Sequence, residues 1–293
     1  MGCALGRLVL DGPLPLELAA VAVRRPEHPR NELPPDVRVV NADALIDETD
    51  VVVELAGGIE RPLTWARAVL RAGKPFVTAN KALLANHGDE LARLAADNRG
   101  ALLGSASVGG GVPMIELVEH LAATGAIERV RGLLNATSTY LLTQMGEGLS
   151  FEAALAEAQR VGYAEADPTL DLNGRDAAQK LAILASVAWG RWKPEGDVAV
   201  SGIQGLEPRR GSVVRLVADA TRDAMTVGPM ELDADSPFAS VSGVDSLLEV
   251  SVRDAGMFRV SGPGAGGRAT AGAVYADLAR LLRERPILFG GSQ

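Results

Sequence analysis

DVVVELAGGIERPLTWARAVLRAGKPFVTANKALLANHGDELARLAADN, residues 50–98, is the stretch that decides how this chain folds. The apolar run 50–55 is short and closed by two glycines, so it reads as a buried strand. Residues 62–72 repeat their apolar positions with helical spacing, 75–79 form a second short apolar run, and 81–98 return to helical spacing. Strand, helix, strand, helix in that order argues for parallel strands in a sheet covered on both faces. Upstream, residues 16–23 and 37–41 read as further strands, and downstream 101–106 continue the pattern. After the glycines at 109–111 the character changes. Residues 113–125 are helical, 127–135 a strand, and 137–148, 151–161 and 175–189 helices. From 213 to 260, strand-like runs dominate (VVRLVADA, AMTVGPMEL, SLLEVSV, MFRVSG), and a last helix covers about 270–283.

The fold expected is α/β, with a parallel, Rossmann-like nucleotide-binding unit and an α+β unit for substrate binding and dimerisation. The boundaries expected are 1–108 for the first, joined by the C-terminal segment 265–293, and 109–264 for the second. A chain of 293 residues, 47% hydrophobic and 23% charged, can bury the core that such a soluble protein needs. No apolar run is long enough to span a bilayer and no N-terminal pattern marks a signal peptide, so a cytoplasmic protein is expected. Cys3 is the only cysteine, which rules out an intramolecular disulfide and a cysteine-based zinc site. His28, His87 and His120 lack metal-ligand spacing. A net charge of −8 offers no general attraction to nucleic acid.

The chemistry concentrates in GYAEADPTLDLNGRDAAQK, residues 162–180, with four carboxylates (Glu165, Asp167, Asp171, Asp176) ahead of Lys180. Asp176 and Lys180 stand four apart on one helix face. Taken alone, the pair is either a surface ion pair below an acidic loop or a lysine held in place to exchange a proton. Five other stretches accompany it: VVVELAGG at 51–58, TANKALL at 78–84, SVGGGVP at 107–113, LLNATSTY at 133–140 and SGPGAGGRATAGAV at 261–274. In this order and spacing the set resembles the homoserine dehydrogenases, and the resemblance runs from Gly2 to about Leu282.

The resemblance implies interconversion of L-homoserine and L-aspartate 4-semialdehyde, with NAD(P) carrying the hydride, in a homodimer of amino-acid biosynthesis leading to threonine and methionine. It implies Lys180 and Lys81 as candidate proton-transfer residues, with the choice between them open, and Asp176 as the group that orients Lys180 or the reacting oxygen. Glu165, with Asp171 as a further candidate, would bind the substrate's amino group. Cofactor contacts are implied at Gly2, Gly57, Asn80, Lys81, Gly262 and Gly267. Arg24 and Arg25 stand where an NAD-selective site would place an acidic residue. They suit the 2′-phosphate of NADP, although two solvated arginines before Pro26 would read the same way.

The family also implies a monovalent cation on the 107–113 loop, held by Val108 and Gly110. Ser105 stands where the family has a helping glutamate, which puts that site in question. Thr139 replaces an asparagine of the family pattern, and Ala136 a glycine. In the fingerprint G-x-G-x-x-G, Gly2 takes the third glycine's place and 3–10 becomes the first helix, so a first strand and two glycines are missing. Either the start codon is assigned too late or the chain is shortened, and weak cofactor binding is expected. No room is left for a C-terminal regulatory domain, so feedback control through one is not expected. Two alternatives stay open: a non-catalytic dimeric homologue, and an oxidoreductase for a related amino-acid semialdehyde. The 162–180 block argues against the second.

Overall fold

Residues 50–98 form the strands and helices their periodicity predicts. The computed structural model describes residues 1–25, 33–34, 37–209 and 211–282. His28 and the segment 283–293 of the C-terminal unit lie outside them. The chain opens with helix α1 (Gly2–Asp11) and reaches α2 (Ala42–Glu48), which the sequence pattern did not single out. It then alternates β1 (Val52–Glu54), α3 (Glu60–Arg71), β2 (Phe76–Thr78), α4 (Lys81–Asn98) and β3 (Leu102–Leu103). These strands make a parallel sheet in the order β1-β2-β3, with Val52 opposite Phe76 and Phe76 opposite Leu102.

Side chains alternate between its two faces, as the pleat requires. Val52 and Phe76 join a core with Leu63, Leu70, Leu83 and Leu91 of α3 and α4. Val51, Val53 and Val77 turn the other way, toward Leu5 and Val9 of α1 and toward the last helix, α10, introduced below. Phe76 and Val77 are both fully buried, each worth about 2–3 kcal/mol of transfer free energy.

Two expected strands are corrected. Residues 16–23 and 37–41 meet only at an isolated parallel bridge, Val21 opposite Val39, through Val21 N–H to Arg38 O (2.9 Å) and Val40 N–H to Val21 O (3.0 Å). Neither segment bonds to β1 among the described residues. An apolar run becomes a strand only where its backbone finds a ladder, and here each finds one partner at one point. Residues 101–106 are also shorter as a strand than expected, because a 3-10 turn at Ser105–Ser107 follows β3 directly.

The chain continues through α5 (Met114–Ala122), β4 (Ile127–Leu133), α6 (Ala136–Gly146), α7 (Phe151–Arg160), the short α8 (Thr169–Leu172) and α9 (Arg175–Trp189). Then come β5 (Val198–Val200), β6 (Val213–Thr221), β7 (Met225–Leu232), β8 (Asp245–Val252), β9 (Gly256–Pro263) and α10 (Gly267–Leu282). The six strands form one sheet, β5-β7-β6-β4-β8-β9, antiparallel except between β5 and β7. One face packs Val130, Leu216, Ala218, Leu248 and Val250 against α5, α6 and α9. The other carries Leu133, Val217 and Leu247 under Phe238, beside the ion pairs Arg129–Asp219 and Arg259–Glu249. Helix α10 returns to pack against α1 and β2, as the family resemblance implied for the last helix. Among the described residues no helix is long and apolar enough to cross a membrane.

Candidate active site

Three helix starts and two strand ends converge on one buried carboxylate. The first turn of α9 supplies Asp176, which is 7% exposed. Its helix begins at Gly174, held at φ +80 with Val200 so close that a Cβ would sit 2.9 Å from a methyl group, so glycine is required at this turn. Lys180, one turn further on, bonds Asp176 Oδ2 at 2.9 Å and donates to the Leu134 carbonyl at 2.7 Å. Lys81, the first residue of α4, bonds Asp176 Oδ1. A lysine at a helix N-terminus faces the positive end of the helix dipole, and the carboxylate opposite offsets that. The two lysines therefore share one aspartate, one oxygen each.

Asp171 joins the cluster through Asn135, whose Nδ2 donates to Asp171 Oδ1 (2.6 Å) and Asp176 Oδ2 (2.8 Å). Burial by itself would raise the Asp176 carboxyl. The Lys180 and Lys81 ammonium groups, with hydrogen bonds from Lys81 and Asn135, outweigh it and hold that carboxyl far below the usual carboxylate range. The cluster thus offers two ammonium groups, two carboxylates and a partly open side, since the Lys81 and Lys180 side chains keep 23% and 16% of their exposure.

Glu165 is not brought into these contacts. It is exposed, on the loop before α8, and its side chain makes no hydrogen bond or ion pair among the described residues. The loop itself is fixed nearby: Thr137 Oγ1 donates to Tyr163 O at 2.8 Å, and the Tyr140 and Tyr163 rings meet edge to face.

Of the residues expected to meet the cofactor, Gly57, Asn80 and Lys81 follow the ends of β1 and β2. Glu54, 4% exposed, accepts from Ala56 N–H (2.7 Å), Gly57 N–H (2.9 Å) and Thr78 Oγ1 (2.7 Å). Thr78 Oγ1 in turn accepts from Asn80 N–H (2.9 Å). Asn80 caps α4 through Leu83 N–H (3.0 Å) and donates to Gly58 O (2.6 Å). The loops after β1 and β2 are thereby braced to each other beside Lys81. Gly2 and Gly267 open α1 and α10, and a Cβ on Gly267 would lie 3.4 Å from the Met1 nitrogen, so the two helix starts adjoin. No side chain caps α1, which leaves its first amides open to an anion. Gly262 lies in β9 beside Val112. Arg24 and Arg25 are exposed, just beyond the bridge at Val21. These features fit a dinucleotide.

The 107–113 loop, where the family resemblance implied a cation, is closely packed. Val108 is fully buried, and Gly110 packs with a Cβ position only 2.8 Å from Gly264 O. Ser105, noted as a departure from the family, is committed to the last helix: its Oγ (2.6 Å) and N–H (3.0 Å) both donate to the Asp277 carboxylate. Among the described residues no three histidine, cysteine or acidic side chains gather as ligands.

Sequence reasoning assigned no role to Asn135, Glu54 or Thr78. Asn135 had a local signal, an asparagine directly before a helical run. Glu54 had another, a lone acid closing an otherwise apolar strand.

Fold and site together define an α/β chain with a parallel-sheet half of the dinucleotide-binding kind and a second half built on an antiparallel sheet. A family model described as homoserine dehydrogenase matches residues 113–279, and one described as homoserine dehydrogenase, NAD binding domain, matches residues 1–103. The chain belongs to the homoserine dehydrogenase family. It is 36% identical over 286 residues to the homoserine dehydrogenase of Synechocystis sp. and 37% identical over 290 residues to that of Corynebacterium glutamicum. The alignments cover 91% and 92% of this chain but 66% and 65% of those relatives, so the chain spans about two thirds of their length. Among solved structures, a hyperthermophilic archaeal homoserine dehydrogenase in complex with NADPH matches with a TM-score of 0.86 at 27% identity, covering 99% of this chain and 96% of that one. The enzyme from Thiobacillus denitrificans matches with a TM-score of 0.79 at 34% identity, over 83% of this chain and 60% of that one.

Proposed function

We propose that this chain interconverts L-homoserine and L-aspartate 4-semialdehyde, with NADP as the preferred hydride carrier. The observation that carries the reading is the pair of lysines on Asp176, drawn from α4 on the nucleotide side and α9 on the substrate side. Oxidising an alcohol removes a hydride from carbon and a proton from oxygen. The nicotinamide supplies the hydride chemistry when bound; the protein must place the substrate carbon and take the proton.

Lys180 is the residue we assign to the proton, with Lys81 beside the same oxygen. Asp176 keeps both amines in place, and the Leu134 carbonyl fixes the direction of Lys180. Asp171 and Glu165 would receive the substrate ammonium. The open start of α1 beside α10, with Gly57, Asn80 and Gly262, would hold the dinucleotide. Arg24 and Arg25 would meet the 2′-phosphate, a reading supported by positive charge where an NAD-selective site places an acid. A second copy of the chain is the expected partner, across the strands of the six-stranded sheet, where Met257 and Phe258 of the edge strand β9 are exposed.

The test is the appearance of reduced cofactor absorbance with L-homoserine and NADP. Turnover of homoserine above that of other amino-acid alcohols supports the reading. Preference for a different substrate favours a related semialdehyde oxidoreductase, and a folded chain with no turnover favours a non-catalytic homologue.

A further inference from the structure

Asn135 is 4% exposed and sits between the end of β4 and the start of α6. Its Oδ1 accepts from Ser138 N–H at 2.7 Å and so caps α6. The cap fixes the amide's orientation. With Oδ1 committed to the helix, the NH2 must face the other way, into the polar cluster. There, one nitrogen donates to two carboxylates, Asp171 Oδ1 at 2.6 Å and Asp176 Oδ2 at 2.8 Å. An amide nitrogen has two hydrogens, and each has one acceptor. The two carboxylates therefore lie within the reach of a single side chain, although like charges at such range repel.

We propose that Asn135 is a positioning residue that sets the spacing of Asp171 and Asp176, and through Asp176 the placement of Lys180 and Lys81. It acts through the two carboxylates that its amide holds. The proposal rests on the function proposed above: the carboxylate toward the substrate ammonium and the carboxylate holding the amines must keep a fixed separation for the substrate to bridge them. An asparagine meets that need with no charge of its own. The two ammonium groups and two carboxylates stay balanced, and the helix cap prevents the amide from turning over. A misplacement of about 1 Å in such a site costs on the order of a hundredfold in rate.

Capping and positioning separate cleanly in two variants of the full chain. Serine and aspartate both serve as helix caps about as well as asparagine, but neither presents an NH2 to the carboxylates. Asn135→Ser should melt somewhat below the wild type and Asn135→Asp, with a third buried carboxylate, lower still, while both bind NADPH as the wild type does and lose roughly ten- to a hundredfold in kcat/KM for homoserine. A readout free of turnover accompanies this. The rates at which Lys81 and Lys180 are acetylated by an amine-specific reagent are followed by mass spectrometry in the protein without ligands. In Asn135→Ser the two carboxylates lose their shared donor, Asp176 is no longer held in place, and the ratio of Lys81 to Lys180 labelling should change several-fold.

If the wild type does not oxidise homoserine, the proposed function falls while the labelling still judges Asn135. Wild-type kcat/KM in both variants, or an unchanged labelling ratio in Asn135→Ser, would overturn the positioning role. A lowered melting temperature in both with unchanged labelling would also overturn it and assign Asn135 to the fold alone.

Discussion

The two sheets of this molecule are built to different degrees of completeness. The six-stranded sheet is a continuous ladder; β6 and β7 alone keep register from Val213 opposite Leu232 to Ala220 opposite Met225. The parallel sheet has three strands of two or three residues, and the bridge at Val21 and Val39 stands apart from it. Antiparallel neighbours can pair through a local turn, as β6 does with β7 and β8 with β9. Parallel neighbours always depend on crossovers, so each short strand of the parallel sheet finds its partner only through a longer connection. Under the function proposed above, the difference separates two tasks. The Asp176 cluster, assigned to the proton, hangs on the six-stranded half and on the start of α4, and it is hydrogen-bonded throughout. The dinucleotide is assigned to the parallel half, where the brace from Glu54 through Thr78 and Asn80 keeps the loops together.

Asp176→Asn should break the comparison most severely. Two ammonium groups would face each other without their shared carboxylate. Loss of one partner of a buried pair costs about 3 kcal/mol or more, and turnover should fall at least a hundredfold. The pH dependence has a definite sign. The folded-state carboxyl lies far below its unfolded value of about 4, so its stabilisation is complete above that value and fades as pH falls through it. The melting-temperature gap between wild type and variant should be full at pH 7 and narrow below about pH 4. A gap constant down to pH 3 would contradict the ion-paired cluster.

Thr78→Val tests the other half. Thr78 is fully buried, and its loss leaves a Glu54 oxygen and the Asn80 N–H unpaired, at a cost of about 1–3 kcal/mol. NADPH titration should show weakened binding, about tenfold, with kcat at saturating cofactor within a few-fold of wild type. A fall confined to kcat would mean that the brace serves the chemistry and not the dinucleotide. The smallest effect belongs to Arg24→Ala with Arg25→Ala. Exposed charges contribute about 1 kcal/mol or less each, so KM for NADP should rise a few-fold more than KM for NAD. Equal changes would make the two arginines ordinary surface residues.

The comparison also explains what could be read from the sequence. Helices 81–98 and 175–189 coincide with α4 and α9 because helical periodicity is local. Lys81, Asp176, Lys180 and Asp171 were legible through the family motifs, and the structure brings all four together. What joins them was not legible. Lys81 reaches Asp176 across 95 positions and Asn135 reaches it across 41, and no local pattern records such a pairing. Residues 16–23 misled for the same reason: their apolar character is local, but the ladder a strand needs comes from elsewhere. Ser105 could be seen to depart from the family, but its commitment to Asp277 required α10 to be in place.

The most direct test is kcat for homoserine oxidation by Lys180→Ala at saturating NADP, with folding checked by circular dichroism and NADPH affinity measured alongside. Loss of a proton-transfer group costs about a hundred- to ten-thousandfold. A fall in that range is expected, with the fold and NADPH affinity preserved. Turnover within a few-fold of wild type would contradict it and move the proton to another group.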